Sequence, residues 1–540
     1  MYFTYGYYFA EMRVSPDRDD LIYIYGVPML KSSDAGKTWA ETDTVGRVHS
    51  DHHALWINPK DSKHILLGND GGLYESYDEG KYWRHINNMP VGQFYTVNVD
   101  MDTPYNVYGG LQDNGVQKGS STSVPNRTKD WEDLFGGDGM FVAPDPRNSK
   151  LVYTGFQFGN YWRLELDKNK FTRITPQHDL GEDPLRWNWR TPLILSKHNP
   201  DIVYMGAQRF YRSMDKAENW EAISLDLSKN KPQGNVPFST IASIAESPLQ
   251  FGLLYAGTDD GNLWVSKNAG GSWDAIHAGL PANKWVSSVS PSPHDKGTVF
   301  VSLNGYRDDD FKTYLFMSSD YGKTWKSVKG NLSESVANVI IQDPVNADLL
   351  YCGLDNGTYA SLDRGNTWVL LNNMLNVSSY DMIVHPRENE LVVATHGRSV
   401  FVADAKPLQQ IAGKNVNKGI MAFAPESIRY SERWGNKSYE WSKAVEPKVH
   451  LLYYVGKAAS AITIEVYDEK NNLVRSATST GLAGINVYTW DVKITEPATP
   501  QKGKSKAPAA EPKTKYAPKG KYKIKMINAG ETSEVSWEMK

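Results

Sequence analysis

The sequence of 540 residues contains a single cysteine, Cys352. One thiol cannot form an intrachain disulfide and cannot build a cysteine-rich metal site. The net charge is also small, because 59 Lys and Arg residues nearly balance 62 Asp and Glu residues, which argues against nucleic acid as a main partner. The sequence lacks an apolar run long enough to span a membrane. Met1 is not followed by the basic and apolar regions of a signal peptide.

What the chain has in excess is an eight-residue motif, Ser-x-Asp-x-Gly-x-x-Trp, found six times. Four copies are complete: Ser32–Trp39, Ser76–Trp83, Ser318–Trp325 and Ser361–Trp368. Two are degenerate: Ser213–Trp220 lacks the Gly, and Ser266–Trp273 has Asn in place of Asp. Ser and Asp side chains bond backbone N–H groups of a turn, Gly supplies a positive φ, and Trp anchors in a core. The motif therefore predicts a locked hairpin.

The motif resembles the Asp-box, also called the bacterial neuraminidase repeat, of sialidases, xyloglucan-specific endoglucanases and sortilin-type propellers. Around each copy a longer phrase recurs at a spacing of roughly 40–50 residues, the length of a four-stranded propeller blade. Alternation of apolar and polar residues within its stretches favours strands over helices. The predicted fold class is all-β, with an Asp-box β-propeller as its main part.

Nine such units can be counted. They begin near Phe9, His52, Phe94, Met140, Thr191, Ile241, Trp285, Val336 and Tyr380. Since single propellers usually carry about 4–8 blades, the units form either one unusually large ring or parts of two rings. We prefer a seven-bladed propeller over residues 91–408, preceded in residues 1–90 by the last two blades of an N-terminal propeller. This interpretation predicts that the chain starts inside a longer ancestor and lacks part of that propeller.

The pattern changes after Asp404. Residues 409–420 are predicted to be a linker, and residues 421–540 an immunoglobulin-like β-sandwich. Within the sandwich, residues 496–519 are rich in Pro, Ala and Lys and nearly free of apolar side chains, which predicts a disordered loop.

The register of the repeat predicts where a functional site can lie. In an up-and-down blade, the turn between strands two and three shares a face with the connection into the next blade, and the Asp-box turn lies on the opposite face. The second-to-third turns supply Asp70, Gln112, Asp113, Asn114, His396 and Arg398. Asn, Asp and Gly are also what tight hairpins require, so these acids have a competing structural explanation.

The connections between blades are harder to explain by turn rules. They supply Asp51, His52 and His53, then Asp138 among three glycines, then Arg186, Trp187, Asn188 and Trp189. Asp51, His52 and His53 could ligate a metal together with Asp70, but alternate strand residues point to opposite faces, and hydrogen-bonded structural His residues are the favoured interpretation. We therefore expect no metal and no cofactor.

A closer resemblance rests on His52 to Trp56, Gly68 to Gly72, Gly109 to Gly115 and Gly136 to Gly139. These motifs are similar to those of a bacterial family of exported propellers often labelled as glycosyl hydrolases or sortilin-like proteins. The resemblance implies a secreted, periplasmic or cell-envelope protein, a polysaccharide or peptide ligand, and kinship to xyloglucanases with two tandem propellers.

Three functions remain open. The preferred one is binding of a glycan or peptide on the face formed by the second-to-third turns and the inter-blade connections. The alternative is an inverting glycoside hydrolase acting on a β-glucan-type polysaccharide, with Asp70, Asp113 and Asp138 as candidate acids and a carboxyl separation of about 6.5–9.5 Å. A third is an architectural module of the envelope. Sialidase chemistry is disfavoured, because no spacing identifies Arg186, Arg209 and Arg398 as an arginine triad.

Overall fold

The structure is a computed structural model that describes residue 6 and residues 8–42, 48–123, 131–232, 234–371, 374–495 and 514–540. The regular secondary structure of the described chain is almost entirely β-strand. It divides into two compact units, Met1–Lys406 and Pro407–Lys540. One short α-helix, Lys406–Ile411, and two 3-10 helices, Tyr306–Asp308 and Gly413–Asn415, lie within the described ranges. None of the described helices is long and apolar enough to cross a membrane.

Unit 1 begins with two antiparallel sheets, named blades N1 and N2 here. Blade N1 comprises β1 (Glu11–Val14), β2 (Ile22–Tyr25), β3 (Met29–Ser32) and β4 (Ala40–Glu41). Blade N2 comprises β5 (His52–Ile57), β6 (Ile65–Asn69), β7 (Gly72–Ser76) and β8 (Arg84–His85). The two sheets share a buried core that includes Tyr23 and Tyr25 of N1 and Leu55 and Leu67 of N2.

Seven further sheets follow, named blades R1 to R7. R1 has β9 (Phe94–Val99), β10 (Asn106–Leu111), β11 (Val116–Ser120) and β12 (Trp131–Phe135). R2 has β13 (Ala143–Asp145), β14 (Asn148–Phe156), β15 (Asn160–Glu165) and β16 (Lys170–Arg173). R3 has β17 (Leu193–Leu195), β18 (Val203–Gly206), β19 (Phe210–Ser213) and β20 (Glu221–Ala222). R4 has β21 (Ile241–Glu246), β22 (Leu254–Thr258), β23 (Leu263–Ser266) and β24 (Asp274–Ala275).

Of the remaining blades, R5 and R6 have the same four-stranded meander and R7 has three strands. R5 has β25 (Trp285–Pro291), β26 (Val299–Gly305), β27 (Asp310–Ser318) and β28 (Lys326–Ser327). R6 has β29 (Ala337–Gln342), β30 (Leu350–Leu354), β31 (Gly357–Ser361) and β32 (Val369–Leu370). R7 has β33 (Ser379–Val384), β34 (Glu390–Thr395) and β35 (Val400–Asp404).

Blades R1 to R7 form a closed ring. The first strand of each blade contacts the first strand of the next, and β33 of R7 contacts β9 of R1. Side chains reinforce this closure: the Val97 N–H donates to Asp381 Oδ2 at 3.0 Å, and the Tyr105 hydroxyl donates to Glu390 Oε2 at 2.6 Å. Neighbouring blades share buried cores, as R4 and R5 do in the cluster that contains Tyr255 and Val301.

The Asp-boxes form the predicted hairpin lock between strands three and four. In the box of R5, the Ser318 hydroxyl accepts the Gly322 N–H at 2.8 Å, and Asp320 Oδ1 accepts the Thr324 N–H at 2.9 Å. The indole does more than anchor its own hairpin. Trp325 Nε1 donates at 2.7 Å to the carbonyl oxygen of Ile276, which follows the last strand of R4. In blades R3, R4, R5 and R6 the box tryptophan therefore also joins its blade to the preceding one.

Unit 2 has nine described strands. They are β36 (Met421–Ala422), β37 (Val449–Val455), β38 (Ala459–Tyr467), β39 (Leu473–Gly481), β40 (Gly484–Trp490), β41 (Lys493–Thr495), β42 (Thr514–Tyr516), β43 (Gly520–Asn528) and β44 (Glu531–Met539). Sheets β36-β37-β40 and β39-β38-β43-β44 bury a shared core, and β41 pairs with β42. The immunoglobulin-like topology stays a prediction.

Two boundary predictions differ from the structure. The predicted linker 409–420 contains the end of the α-helix, where Ile411 is buried, and Ile420 belongs to the core of unit 2. Of the predicted loop 496–519, residues 496–513 lie outside the described part of the chain. The rest is ordered by strand pairing, and the Ala517 N–H donates to the Val492 carbonyl oxygen at 2.8 Å.

Candidate functional site

The turn between β6 and β7 of blade N2 meets the turn between β10 and β11 of ring blade R1. Asn114 Nδ2 donates to the Asp70 carbonyl oxygen at 2.9 Å. The His49 Nε2 atom lies 2.8 Å from the Asp113 carbonyl oxygen. Because both contacts use backbone oxygens, the two turns are held together and the carboxyl groups of Asp70 and Asp113 are left for other partners.

Asp138 adds a third carboxyl group from the connection into blade R2. Its Oδ1 accepts the Asp113 N–H at 2.9 Å, and the Asp113 carboxyl group hydrogen-bonds the Asp138 carboxylate. Asp113 has a φ of +60°, a left-handed conformation that Asp tolerates better than most residues. We call Asp70, Asp113 and Asp138 the junction acids, since the structure brings all three together where N2 meets the ring.

Two of the junction acids, Asp113 and Asp138, have raised pKa values. Burial raises the pKa of Asp113 to about 6, and the nearby carboxylates of Asp138 and Asp70 add to the rise. Burial also raises the pKa of Asp138, although the hydrogen bonds from the Asp113 N–H and carboxyl group oppose it. Asp113 and Asp138 therefore behave as a pair that shares a proton over the mildly acidic range.

Asp70 has a separate partner in blade N2. Its Oδ1 lies 2.8 Å from His53 Nε2, and the imidazole packs edge-on against the rings of Tyr8 and Phe9. The His53 side chain is 37% exposed and the Asp70 side chain 26% exposed, so solvent reaches both. The acid and the imidazole can both hydrogen-bond a polar ligand at the surface.

An aromatic group adjoins the acids on the ring side. The Tyr95 hydroxyl donates to Gln112 Oε1 at 2.9 Å, next to Asp113 in sequence, and Trp189 Nε1 donates to the Tyr95 hydroxyl at 3.4 Å. The His396 ring stacks on Tyr380 with centroids 4.6 Å apart, and both rings flank Tyr95. We call Tyr95, Trp189, Tyr380 and His396 the axial aromatic group.

Within this group, Trp189 is 37% exposed and its indole meets the Phe158 ring edge-on at 5.1 Å. Burial lowers the pKa of His396 and raises the pKa of Tyr95, so both rings are neutral at neutral pH. Three of the residues predicted to bind ligand, Gln112, His396 and Trp189, lie in or beside this aromatic group, and their role in binding stays a prediction. Arg398 is exposed at the same turn as His396.

Arg190 was missed among the predicted ligand-binding residues. Its guanidinium donates to the carbonyl oxygens of Tyr95 of R1 and Ser287 of R5, at 3.2 and 3.4 Å. It also lies over the rings of Phe141 and Tyr380, at 5.5 and 6.0 Å. Arg190, Phe141, Ser287 and Tyr380 line a cavity of about 190 Å³. The hydrogen bonds to Tyr95 and Ser287 connect R1 to R5 through one side chain. The available signal was the second arginine of the Arg-Trp-Asn-Trp-Arg run.

Three predicted ligand-binding residues have structural partners instead. Arg186 is paired with Asp226 at 2.6 Å and also bonds the Ser239 carbonyl oxygen. Trp187 packs directly on Gly159, where an added Cβ would lie 2.6 Å from the indole. Asn188 is buried, and its side-chain partners form a hydrogen-bond network.

The Asn188 amide donates to Thr240 Oγ1 at 2.8 Å and to Asp259 Oδ2 at 3.2 Å. Thr240 in turn donates its N–H and its hydroxyl to the two oxygens of Asp259, at 2.8 and 2.6 Å. Burial raises the pKa of Asp259 to about 6. The network connects the start of R3 to R4. Because it engages the Asn188 amide, that side chain is not available to a ligand.

The histidine pair at the start of β5 is divided as strand alternation requires. His52 is buried, with Nδ1 lying 3.4 Å from Asn69 Nδ2, while His53 faces solvent. Asp51 adopts a φ of +63° and accepts the Ser50 hydroxyl at 2.9 Å. Within the described ranges, no group of three or more His, Cys, Asp or Glu side chains has the geometry to hold a metal ion.

The spacing of the acids bears on catalysis. An inverting glycosidase keeps its two carboxyl groups about 6.5–9.5 Å apart so that a water molecule fits between the base and the sugar. Asp113 and Asp138 are in direct hydrogen-bond contact, which is too close for that arrangement. If the site were catalytic, Asp70 would have to be one of the two acids.

Comparison with known proteins supports the repeat and the propeller. The family model described as "BNR-Asp box repeat" matches residues 315–328. Sortilin from Rattus norvegicus is 29% identical over 148 residues, covering 27% of this chain and 17% of its own length. Xyloglucanase Xgh74A from Acetivibrio thermocellus is 25% identical over 248 residues, covering 39% and 28%. The chain thus spans less than a third of the length of these relatives.

Solved structures are similar over more of the chain. The GH74 enzyme from Niastella koreensis has 15% sequence identity and a TM-score of 0.27, and the match covers 82% of this chain and 73% of that one. The extracellular domain of a hybrid two-component system from B. thetaiotaomicron has 10% identity and a TM-score of 0.43, covering 98% and 67%.

Proposed function

We propose that this Asp-box β-propeller protein, a glycoside hydrolase-like propeller by sequence similarity, binds a glycan where blade N2 meets the ring. The observation that carries the proposal is the convergence of the junction acids, from three different blades or connections, beside the exposed indole of Trp189. Turn geometry alone does not require these groups to meet. We further propose that the protein acts outside the cytoplasm.

The chemistry of the face suits a sugar. Carboxylates accept hydrogen bonds from sugar hydroxyl groups, and the charged acceptor makes these bonds stronger than neutral ones. The flat indole of Trp189 offers an apolar face of the kind on which the C–H side of a pyranose ring stacks. Asp70 and Trp189 supply the two kinds of contact from the two sides of the junction.

Binding is favoured over hydrolysis because Asp113 and Asp138 hydrogen-bond each other. Two carboxyl groups in contact can hold one proton and orient a ligand hydroxyl, but they leave no space for a hydrolytic water between them. An architectural role in the cell envelope requires none of these polar contacts at a surface.

Glycoside hydrolysis is the second candidate, because one observation favours it. Asp113 has a pKa raised to about 6, so it holds a proton at mildly acidic pH, as a general acid must. Asp70, which pairs with His53, would then be the base that activates water. This alternative needs the substrate to lie between Asp70 and Asp113.

The binding proposal is tested by screening the purified protein on glycan and peptide arrays and then titrating the retained ligand. We expect a glycan to be retained, with affinity reduced at least about tenfold in Trp189→Ala and in Asp70→Asn. Trp39→Ala is the matched control, since Trp39 is also 37% exposed but belongs to an Asp-box. If only peptides were retained on the arrays, the ligand would be a peptide and not a glycan. Unchanged glycan affinity in both variants would reject the site.

The hydrolase alternative is tested by the release of reducing ends from xyloglucan and mixed-linkage β-glucan. If cleavage occurs, Asp70→Asn and Asp113→Asn should abolish it, while the exposed Asp274→Asn on the outer strand of R4 should not. Binding without any new reducing ends supports the first proposal over the second.

A further inference from the structure

Unit 2 carries two unusually exposed aromatic side chains. Trp441 is 86% exposed, the largest fraction for any tryptophan in the described part of the chain, and Tyr439 is 65% exposed. Leaving such large apolar rings in water gives up the stabilisation that burial would provide. Among the described residues, neither ring belongs to the core of unit 2 or packs against it.

The two rings are nevertheless ordered relative to each other. Tyr439 and Trp441 lie parallel within 7°, with centroids 5.5 Å apart. The Ser442 hydroxyl accepts the Tyr439 N–H at 3.0 Å and donates to the Tyr439 carbonyl oxygen at 2.8 Å. Ser442 therefore fixes the turn that presents both rings with their faces in the same orientation.

The loop that bears the rings is tied at its base. An antiparallel bridge pairs Lys437 with Ala444, and the Val445 N–H donates to the Asn436 carbonyl oxygen at 3.0 Å. Below this bridge, Trp434 packs against the core of unit 2 and meets the Tyr516 ring edge-on at 5.6 Å. The platform is therefore built on a fixed loop, which reduces the entropy lost when a ligand binds.

The surroundings of the rings indicate the ligand. Residues 432–446 carry three cationic and three acidic side chains, so the loop favours neither an anionic nor a cationic partner. The exposed apolar surface of the loop consists of the two rings and Val445, with a polar rim of the exposed Ser438, Glu440 and Lys443. A protein partner or a membrane would require a larger contiguous apolar patch.

We propose that Tyr439 and Trp441 form a stacking platform for an uncharged polysaccharide, separate from the site in unit 1. Each ring would stack on the C–H face of one sugar unit, and the polar rim would bond hydroxyl groups. The proposal does not depend on the junction acids, because variants in the two units can lose ligand binding independently of each other.

The test is native affinity electrophoresis of the full chain in gels containing xyloglucan, mixed-linkage β-glucan or, as an anionic polymer, polygalacturonate. We expect the wild-type protein to be retarded by at least one neutral polymer. Trp441→Ala should weaken that binding about tenfold, which corresponds to about 1.4 kcal/mol. Trp441→Phe, which keeps an aromatic face, should retain most of it.

Tyr82→Ala is the matched control, because Tyr82 is 75% exposed in blade N2 and lies outside the platform. Since Trp441 is almost fully exposed, its removal should leave the thermal unfolding temperature unchanged. Equal retardation of Trp441→Ala and wild type would overturn the proposal, as would no retardation of the wild type or retardation by polygalacturonate alone. Loss of binding in Asp70→Asn but not in Trp441→Ala would leave the unit 1 proposal standing and reject this one.

Discussion

The backbone N–H of Asp113 donates to Asp138 Oδ1 at 2.9 Å, and the carboxyl groups of the two residues hydrogen-bond each other. The turn of blade R1 and the connection into R2 are thus joined through a pair of acids. Such a pair is stable only when it holds a proton, because two adjacent carboxylates repel. The pH dependence of stability should therefore report this contact.

Asp113→Asn should flatten the pH dependence of stability. Burial raises the pKa of Asp113 from its ordinary value of 3.8 to about 6, so between these values the folded state binds a proton that the unfolded state has released. Stability must then fall as pH rises from about 4 to about 6. The Asn amide can donate to Asp138 without titrating, so the variant should lose less stability over this window.

Urea unfolding of both proteins at pH 4 and pH 7 measures this difference. Asp259 and Asp381, whose pKa values are also raised to about 6, contribute with the same sign in both proteins and cancel in the comparison. An equal fall in stability between the two pH values would show that Asp113 does not titrate as described.

Trp368→Ala should destabilise the ring far more than Trp39→Ala, although both tryptophans end an Asp-box. Trp368 is 3% exposed and donates to the Val328 carbonyl oxygen of the preceding blade at 2.8 Å, whereas Trp39 is 37% exposed and bonds Gly36 of its own box. We expect a loss of about 3–5 kcal/mol for Trp368→Ala. Thermal or urea unfolding measures it.

Trp368→Phe separates the two contributions, because it keeps most of the apolar volume and loses the hydrogen bond, at a cost of about 1 kcal/mol from the bond. Similar losses for the Ala variants of Trp368 and Trp39 would contradict the inter-blade role of the box.

The Asp-box shows what the sequence can predict. Ser318 and Asp320 bond groups within four residues, so the spacing of the motif was sufficient to predict the hairpin. The indole of Trp325 bonds Ile276, 49 residues earlier, and that partner depends on how blades pack. The local lock was predictable, and the connection between blades was not.

The candidate site was likewise predictable from the sequence only in part. The register of the repeat placed Asp70, Asp113 and Asp138 on one face, and the structure brings them together. The register could not show that Arg186 pairs with Asp226 or that Asn188 bonds Asp259. Asp226 comes from the connection between R3 and R4, and Asp259 comes from R4 itself. The composition of a short run of residues does not reveal which of its polar side chains already have partners within the protein.

Asn188→Ala should therefore destabilise the protein without changing ligand affinity. Loss of the amide removes one donor from the buried Asp259 carboxylate and leaves Thr240 as its remaining side-chain donor. A hydrogen bond to a buried charged group contributes about 1.5–3 kcal/mol, which is the expected loss. Urea unfolding gives the stability, and titration with the array-selected glycan gives the affinity.

For Asn188, a variant with normal stability and weakened glycan binding would show that the residue contacts the ligand after all. Trp189→Ala supplies the opposite expectation, since the neighbouring indole is exposed and should affect affinity more than stability.

Arg190→Met should lower the stability of the propeller ring. The guanidinium bonds carbonyl oxygens of Tyr95 and Ser287 and lies over the Tyr380 ring, so its removal leaves two partly buried acceptors without this donor. We expect a loss of at least about 2 kcal/mol, since a hydrogen bond from a charged donor contributes about 1.5–3 kcal/mol. Arg190→Lys should recover only part of it, because one ammonium group lacks the planar fork that reaches two blades.

Arg307→Met is the matched control for Arg190. The Arg307 guanidinium lies 4.1 Å from the Trp285 ring and 4.4 Å from the Tyr306 ring, but its side chain is exposed and the ring contacts are local. Exposed cation–π contacts contribute about 0.5–1 kcal/mol, so this variant should lose little. If urea unfolding gave equal losses for the two Met variants, Arg190 would be another surface cation and not the side chain that connects R1 to R5.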